Sequence, residues 1–140
     1  MKYPHPRRIR LFLDANVLVS AAWKDGSKVT RLWRIPNVEL ITSDYVLAEC
    51  DRNLRSREQQ DRLTLLLLTV RVVESPTTPI LTDAAPLPEK DQPVLAAAIL
   101  AKAEFLVTGD RKHFGAWYGR KAFGLRIEPP ARFPEVLEEA

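Results

Sequence analysis

The feature that most constrains this chain is a rhythm. Short apolar runs recur, and most are followed by a segment whose apolar residues fall at helical spacing. Residues 9–13, 38–42, 71–73, 105–107 and 125–128 read as strands. The first is broken only by Arg10 and shows no strict alternation, as expected of a strand buried on both faces of a parallel sheet. Between the strands, helices are predicted over 17–23 with Asn16 as cap, and over 28–34 with Ser27 as cap. A further helix, capped by Ser43 or Asp44, runs to about Arg55, with Val46, Leu47, Cys50 and Leu54 on its apolar stripe. Others are expected over 58–68, 93–102, near 111–114, and over 134–138. Pro76, Pro79, Pro86 and Pro88 mark an extended connection across the fold, and no repeat or low-complexity segment interrupts the chain. Strands alternating with helices predict one α/β domain over 1–140, a parallel sheet with helices on both faces.

Sites in such sheets form outside the carboxyl ends of the strands. Asp14 ends the first strand, and Asp110 follows the strand at 105–107 after Thr108 and Gly109. Asp91 stands at the start of the helix that feeds that strand, so it faces the same edge. Glu49 lies about two turns into the helix after the second strand and reaches the crevice if that helix packs beside it. Converging carboxylates repel one another unless protons or cations intervene. A hard cation is the simplest remedy at neutral pH, and Mg²⁺ or Mn²⁺ prefers such oxygen ligands. A bound metal of this kind polarises a phosphoryl oxygen and generates hydroxide, which phosphodiester hydrolysis needs.

Each acid also has a plainer reading. Asp14 fits a turn, Asp91 a carboxylate favoured by a helix dipole, Glu49 a solvated helix face, and Asp110 a helix cap. The set argues for chemistry more than any member does.

The 140 residues are 46% hydrophobic and 28% charged, enough for a core and unlike a disordered chain. A net charge of +3 mildly favours an anionic partner. Cys50 is the single cysteine, so no internal disulfide forms and a cytoplasmic location is expected. Arg7, Arg8 and Arg10 before an apolar stretch mimic a secretion signal, but Asp14 and Asn16 interrupt it. The run 65–70 is too short to span a bilayer, so no membrane association is expected.

A resemblance adds to this reading. LFLDANVLV (11–19) looks like the opening motif of PIN-domain nucleases, and SDYVLAE (43–49) like their looser second motif. KDQPVLAAA (90–98) resembles the third acidic motif and its helix, and FLVTGDRKHF (105–114) the fourth. The likeness covers nearly the whole chain. It implies a five-stranded parallel sheet of order 3-2-1-4-5, an Mg²⁺ or Mn²⁺ site, and cleavage of single-stranded RNA. It also implies a role as the toxin of a VapC-type (type II) toxin–antitoxin pair, with a cognate antitoxin and a homodimer as partners. Asp14, Glu49, Asp91 and Asp110 then match the acidic catalytic and metal positions, with Asn16 and Thr108 supporting them. Glu89, two residues before Asp91, is an alternative third acid, but Asp91 is better placed at the helix start.

Arg111, Lys112 and His113 begin a basic group beside Asp110 that continues with Arg120 and Lys121, a candidate RNA contact with Trp117 and Tyr118 for base stacking. His113 also invites a general-base reading. Arg52, Arg55, Arg57 and Arg62 form a second basic group, Trp23 and Trp33 are expected in the core or an interface, and Cys50 in the core. Two other α/β classes fit these residues less well. A haloacid-dehalogenase-like phosphatase would need an acid two residues after Asp14, where Asn16 stands; a receiver-type phosphoacceptor would need an aspartate after the third strand, where Glu74, Ser75 and Pro76 follow. A non-catalytic PIN-like RNA-binding or scaffold module is the remaining alternative, although all the acids are present.

Overall fold

Leu11, Phe12 and Leu13 lose all solvent contact, and that complete burial places the first strand at the centre of the molecule. In the computed structural model, which describes residues 8–76 and 89–139, β1 (Ile9–Leu13) pairs in parallel with β2 (Val38–Ser43) on one side and β4 (Phe105–Val107) on the other. β3 (Val70–Val73) extends the sheet beyond β2, and a parallel strand at Leu125–Glu128 extends it beyond β4. These five parallel strands follow the expected order 3-2-1-4-5. Of the proline-rich connection, only Pro76 lies inside the described residues.

One strand was not anticipated. Lys121–Ala122 forms a short β5 antiparallel to the last strand, which is therefore β6. The two-residue turn between them, Phe123 and Gly124, has φ of 56° and 82°. Such hairpin turns usually announce themselves by Asn or Asp before Gly, and phenylalanine hides this one.

The chain steps from β1 to β2 to β3 in one direction and from β4 to β6 in the other. Right-handed crossovers then put helices on opposite faces and leave a crevice beside β1 and β4, where the direction reverses. α1 (Ala15–Ala22) packs against both α2 (Asp44–Asn53) and α3 (Arg57–Leu67), while α4 (Gln92–Leu100) packs against β2 and α2. α4 is buried over Val94–Ala98, and its small alanines let it approach the sheet closely.

Capping differs from expectation at two places. Asp14, not Asn16, caps α1, its Oδ1 accepting from the Ala15 amide at 2.7 Å. Lys28–Arg34 is a 3-10 segment, and Ser27 Oγ donates to the Ser20 carbonyl rather than capping it. Ser43 caps α2 and Ser56 forms a reciprocal capping box with Gln59 on α3. Cys50 is fully buried, which pushes its thiol up to about 12, and Trp33 packs on the core with its indole N–H on the Leu66 carbonyl.

Candidate active site

Strand ends bring the first two acids together. The Asp14 amide donates to the Val107 carbonyl at 3.0 Å, which ties the end of β1 to the end of β4. One residue on, the Thr108 hydroxyl donates to Asp14 Oδ2 at 2.8 Å. Asn16, in the first turn of α1, donates through Nδ2 to both Asp14 Oδ2 (3.2 Å) and Thr108 Oγ1 (3.3 Å). Its Oδ1 accepts from the Gly109 amide at 2.6 Å, and the Asp110 amide donates to Thr108 Oγ1 at 3.1 Å. A Cβ at Gly109 would lie 3.2 Å from Asn16 Oδ1, so glycine allows this close approach. A carboxamide neither takes up nor releases a proton at ordinary pH, so Asn16 holds this network together and does not serve as the acid/base residue of a phosphatase.

Asp91 enters on a 3-10 turn, Glu89–Asp91, just before α4. Tyr45 on α2 holds that turn, its hydroxyl donating to the Lys90 carbonyl at 2.8 Å. Glu89 takes part in the turn through its backbone, and its side chain lies outside the described residues. Asp91 makes no capping bond. Its Oδ2 is buried and satisfies no hydrogen bond among the described residues, although His113 Nδ1 lies 2.8 Å away. The same Nδ1 lies 2.8 Å from Asp110 Oδ2, and there the hydrogen-bond geometry is good. Asp110 also caps α5 (Arg111–Phe114), Oδ1 accepting from the His113 amide. One atom each from Asp91, Asp110 and His113 fall within 4.8 Å of one another.

Glu49, half-buried on α2, lines the same cleft of about 400 Å³ as Asp14, Asn16, Asp91 and Asp110. The structure therefore brings all four predicted acids to one place. Burial pushes the Asp14 carboxyl up to about 6; the bonds from Thr108 and Ala15 pull it down, and Glu49 and Asp91 push it further up. Burial also raises Glu49 and Asp91, with Arg52 opposing at Glu49 and His113 at Asp91. Carboxyl groups held above their ordinary range are crowded and partly desolvated, a condition that a divalent cation relieves.

Arg111 and Lys112 are exposed on α5 and do not line this cleft, whereas Arg55 and Lys90 do. Tyr118 donates its hydroxyl to the Thr108 carbonyl, and the Trp117 ring meets Phe123 at 6.0 Å. Trp23 is not in the core: it is 45% exposed at the cleft. Sequence reasoning also passed over Glu128, a carboxylate only 2% exposed at the end of β6. It has Arg126 Nε at 2.6 Å and Arg132 Nε at 3.7 Å, and Glu139 joins both arginines. This is an ion cluster at the C-terminal segment, separate from the acidic cleft.

Fold and site together define an α/β domain with an acidic cleft at the point where strand order reverses. The chain belongs to the PIN-domain family, whose model matches residues 10–112. Its fold is similar to that in the crystal structure of VapBC2 from Rickettsia felis bound to a DNA fragment from their promoter (TM-score 0.61, 19% identity, covering 86% of this chain and 98% of that one). It is also similar to Mycobacterium tuberculosis VapC20, a Sarcin-Ricin loop cleaving toxin (TM-score 0.55, 19% identity, 83% and 98%). No curated protein sequence matches. Among the described residues no helix is long and apolar enough to cross a membrane.

Proposed function

We propose that this protein is a divalent-metal-dependent endoribonuclease that cleaves single-stranded RNA, using Asp14, Glu49, Asp91 and Asp110. The observation that carries this reading is the orphaned, buried Asp91 Oδ2, which faces Asp110 in a cleft shared with Asp14 and Glu49. Oxygen donors crowded in this way, with one lacking a hydrogen bond, fit Mg²⁺ or Mn²⁺. When bound, such an ion supplies Lewis-acid polarisation of a phosphoryl oxygen and water of lowered pKa.

The chain's own residues supply the rest. Thr108 and Asn16 fix the rotamer of Asp14 through Oδ2, and the Ala15 amide fixes Oδ1. His113 is hydrogen-bonded to Asp110 and places the same Nδ1 2.8 Å from Asp91 Oδ2, between the two acids. Glu49 adds a carboxylate from α2, suited to orienting the attacking water. Arg55 and Lys90 put positive charge on the cleft walls for the phosphates that flank the scissile one.

The structural neighbours are VapBC2 bound to a DNA fragment from its promoter and a Sarcin-Ricin loop cleaving toxin. By that likeness we assign this chain the toxin role in a toxin–antitoxin pair, acting in the cytoplasm as a homodimer over the single domain 1–140. Its cognate antitoxin would keep the cleft from RNA. Incubating the protein with a pool of single-stranded RNAs, with Mn²⁺ or with EDTA, tests the activity. Cleavage with Mn²⁺ alone is expected, and equal cleavage in EDTA would overturn metal dependence.

A further inference from the structure

Trp23 has no part in the acidic site, yet it lines the same cleft. It directly follows the last residue of α1 and is 45% exposed. A large aromatic left in solvent normally finds apolar cover or a partner ring, and among the described residues its indole pairs with no other aromatic. Its backbone, by contrast, is fixed. Arg62 donates Nε to the Ala22 carbonyl at 2.9 Å and an NH2 group to the Trp23 carbonyl at 2.8 Å. Gln59 adds Nε2 to the Trp23 carbonyl at 3.3 Å while its own side chain closes the capping box of α3. The end of α1 is thereby locked to α3, and the indole projects from a rigid base.

We infer that the indole of Trp23 is the stacking platform for one base of the RNA strand, next to the nucleotide whose phosphate meets the carboxylates. The inference rests on the nuclease reading and adds to it a base subsite. Single strands are gripped by alternating cationic and aromatic surface, because phosphates and bases alternate along them. This cleft is lined by both kinds of surface, the cations Arg55 and Lys90 and the apolar side chains of Trp23 and Val19. An apolar protein segment would want a continuous apolar wall, whereas here the indole stands among carboxylates and cations. Trp117 and Tyr118 are engaged with Phe123 and Thr108, and among the described residues that line the cleft the aromatic ring is Trp23.

The test uses the full chain carrying Asp91→Asn, so that a fluorescein-labelled single-stranded RNA of mixed sequence stays intact, and adds Trp23→Ala or Trp23→Phe. Stacking of one base predicts that Trp23→Ala weakens RNA binding by about 10- to 100-fold and that Trp23→Phe restores most of it. Quenching of tryptophan emission by unlabelled RNA should vanish in Trp23→Phe although binding persists, because Trp33 and Trp117 lie elsewhere. Unchanged melting of both variants separates this effect from misfolding. RNA bound equally well with and without Trp23→Ala, while the protein with Asp91 intact cleaves the same RNA, would overturn the base subsite and leave the nuclease reading standing. Loss of self-association or of a protein partner in Trp23→Ala, with RNA binding unchanged, would overturn it in favour of a protein contact. No RNA binding or cleavage by the parent protein would overturn the nuclease reading and this inference together.

Discussion

Thr108 Oγ1 donates to Asp14 Oδ2 at 2.8 Å, joining two residues 94 positions apart, and the same oxygen accepts from Asn16 and from the Asp110 amide. Replacing Thr108 by valine keeps the shape and removes this hub. The bond lowers the Asp14 pKa, so its loss lets a proton compete better with a metal. We expect Thr108→Val to lose about 1–3 kcal/mol of stability, as for buried polar groups left unpaired. Mn²⁺ affinity should fall about 10-fold or more, as for other residues that hold a metal ligand in place. Calorimetric titration and thermal melting check both; unchanged Mn²⁺ affinity would remove Thr108 from the site.

Asp14 itself should give the metal-free protein a distinctive pH dependence. Its carboxyl is raised from 3.8 to about 6, so the folded state holds the proton more tightly than the unfolded state. That contribution is fully present below 3.8 and lost as pH rises through about 6. At pH 7 without metal, the penalty is on the order of 3 kcal/mol. Asp14→Asn abolishes it. In EDTA the variant should therefore melt above the wild type at pH 7, with the gap closing as pH falls toward 4. Mn²⁺ at pH 7 should reverse the order, because only the wild type keeps the full ligand set. A gap independent of pH would contradict the burial argument.

His113 has Nδ1 within 2.8 Å of both Asp91 Oδ2 and Asp110 Oδ2. Removing the ring leaves two carboxylates facing each other in a largely buried setting. His113→Ala should lower metal-free stability by about 1–3 kcal/mol, and Mn²⁺ should recover part of that loss. Thermal melts in EDTA and in Mn²⁺ measure it. Equal melting of variant and wild type in EDTA would show that the ring is idle.

Glu128 provides the contrast of a buried acid with no place in the cleft. Its partners are Arg126 and Arg132, so Glu128→Gln should destabilise by about 1–3 kcal/mol and leave Mn²⁺ affinity unchanged. Titration and melting of the same variant separate the two effects, and a weakened Mn²⁺ site would merge the two acidic groups.

Much of this architecture is legible in the chain because its signals are local. Buried strands such as Leu11–Leu13 read as apolar runs, and an acid immediately after one, such as Asp14 or Asp110, lands at the carboxyl edge of the sheet. What escaped depends on distance or pitch. Asn16 looks like a helix cap, and only the approach of β4 to β1 turns it into a bridge to Thr108 and Gly109. His113 reaches two acids because Asp110 caps a single short turn, and nothing in the spacing shows that Asp91 lies opposite. Trp23 fits a helical pattern, but α1 ends one residue before it and leaves the ring in the cleft. The segment Lys28–Arg34 winds more tightly than an α-helix, with Val29, Thr30 and an exposed flank offering little propensity to resist.

The most direct measurement is single-turnover cleavage of a single-stranded RNA pool by the wild type and by Asp14→Asn as Mn²⁺ is titrated. The account predicts cleavage that rises with Mn²⁺ and saturates in the wild type, and that is lost in the variant across the titration. Cleavage by Asp14→Asn equal to that of the wild type would contradict it, because the acid held by Thr108, Asn16 and Ala15 would then have no role in the chemistry.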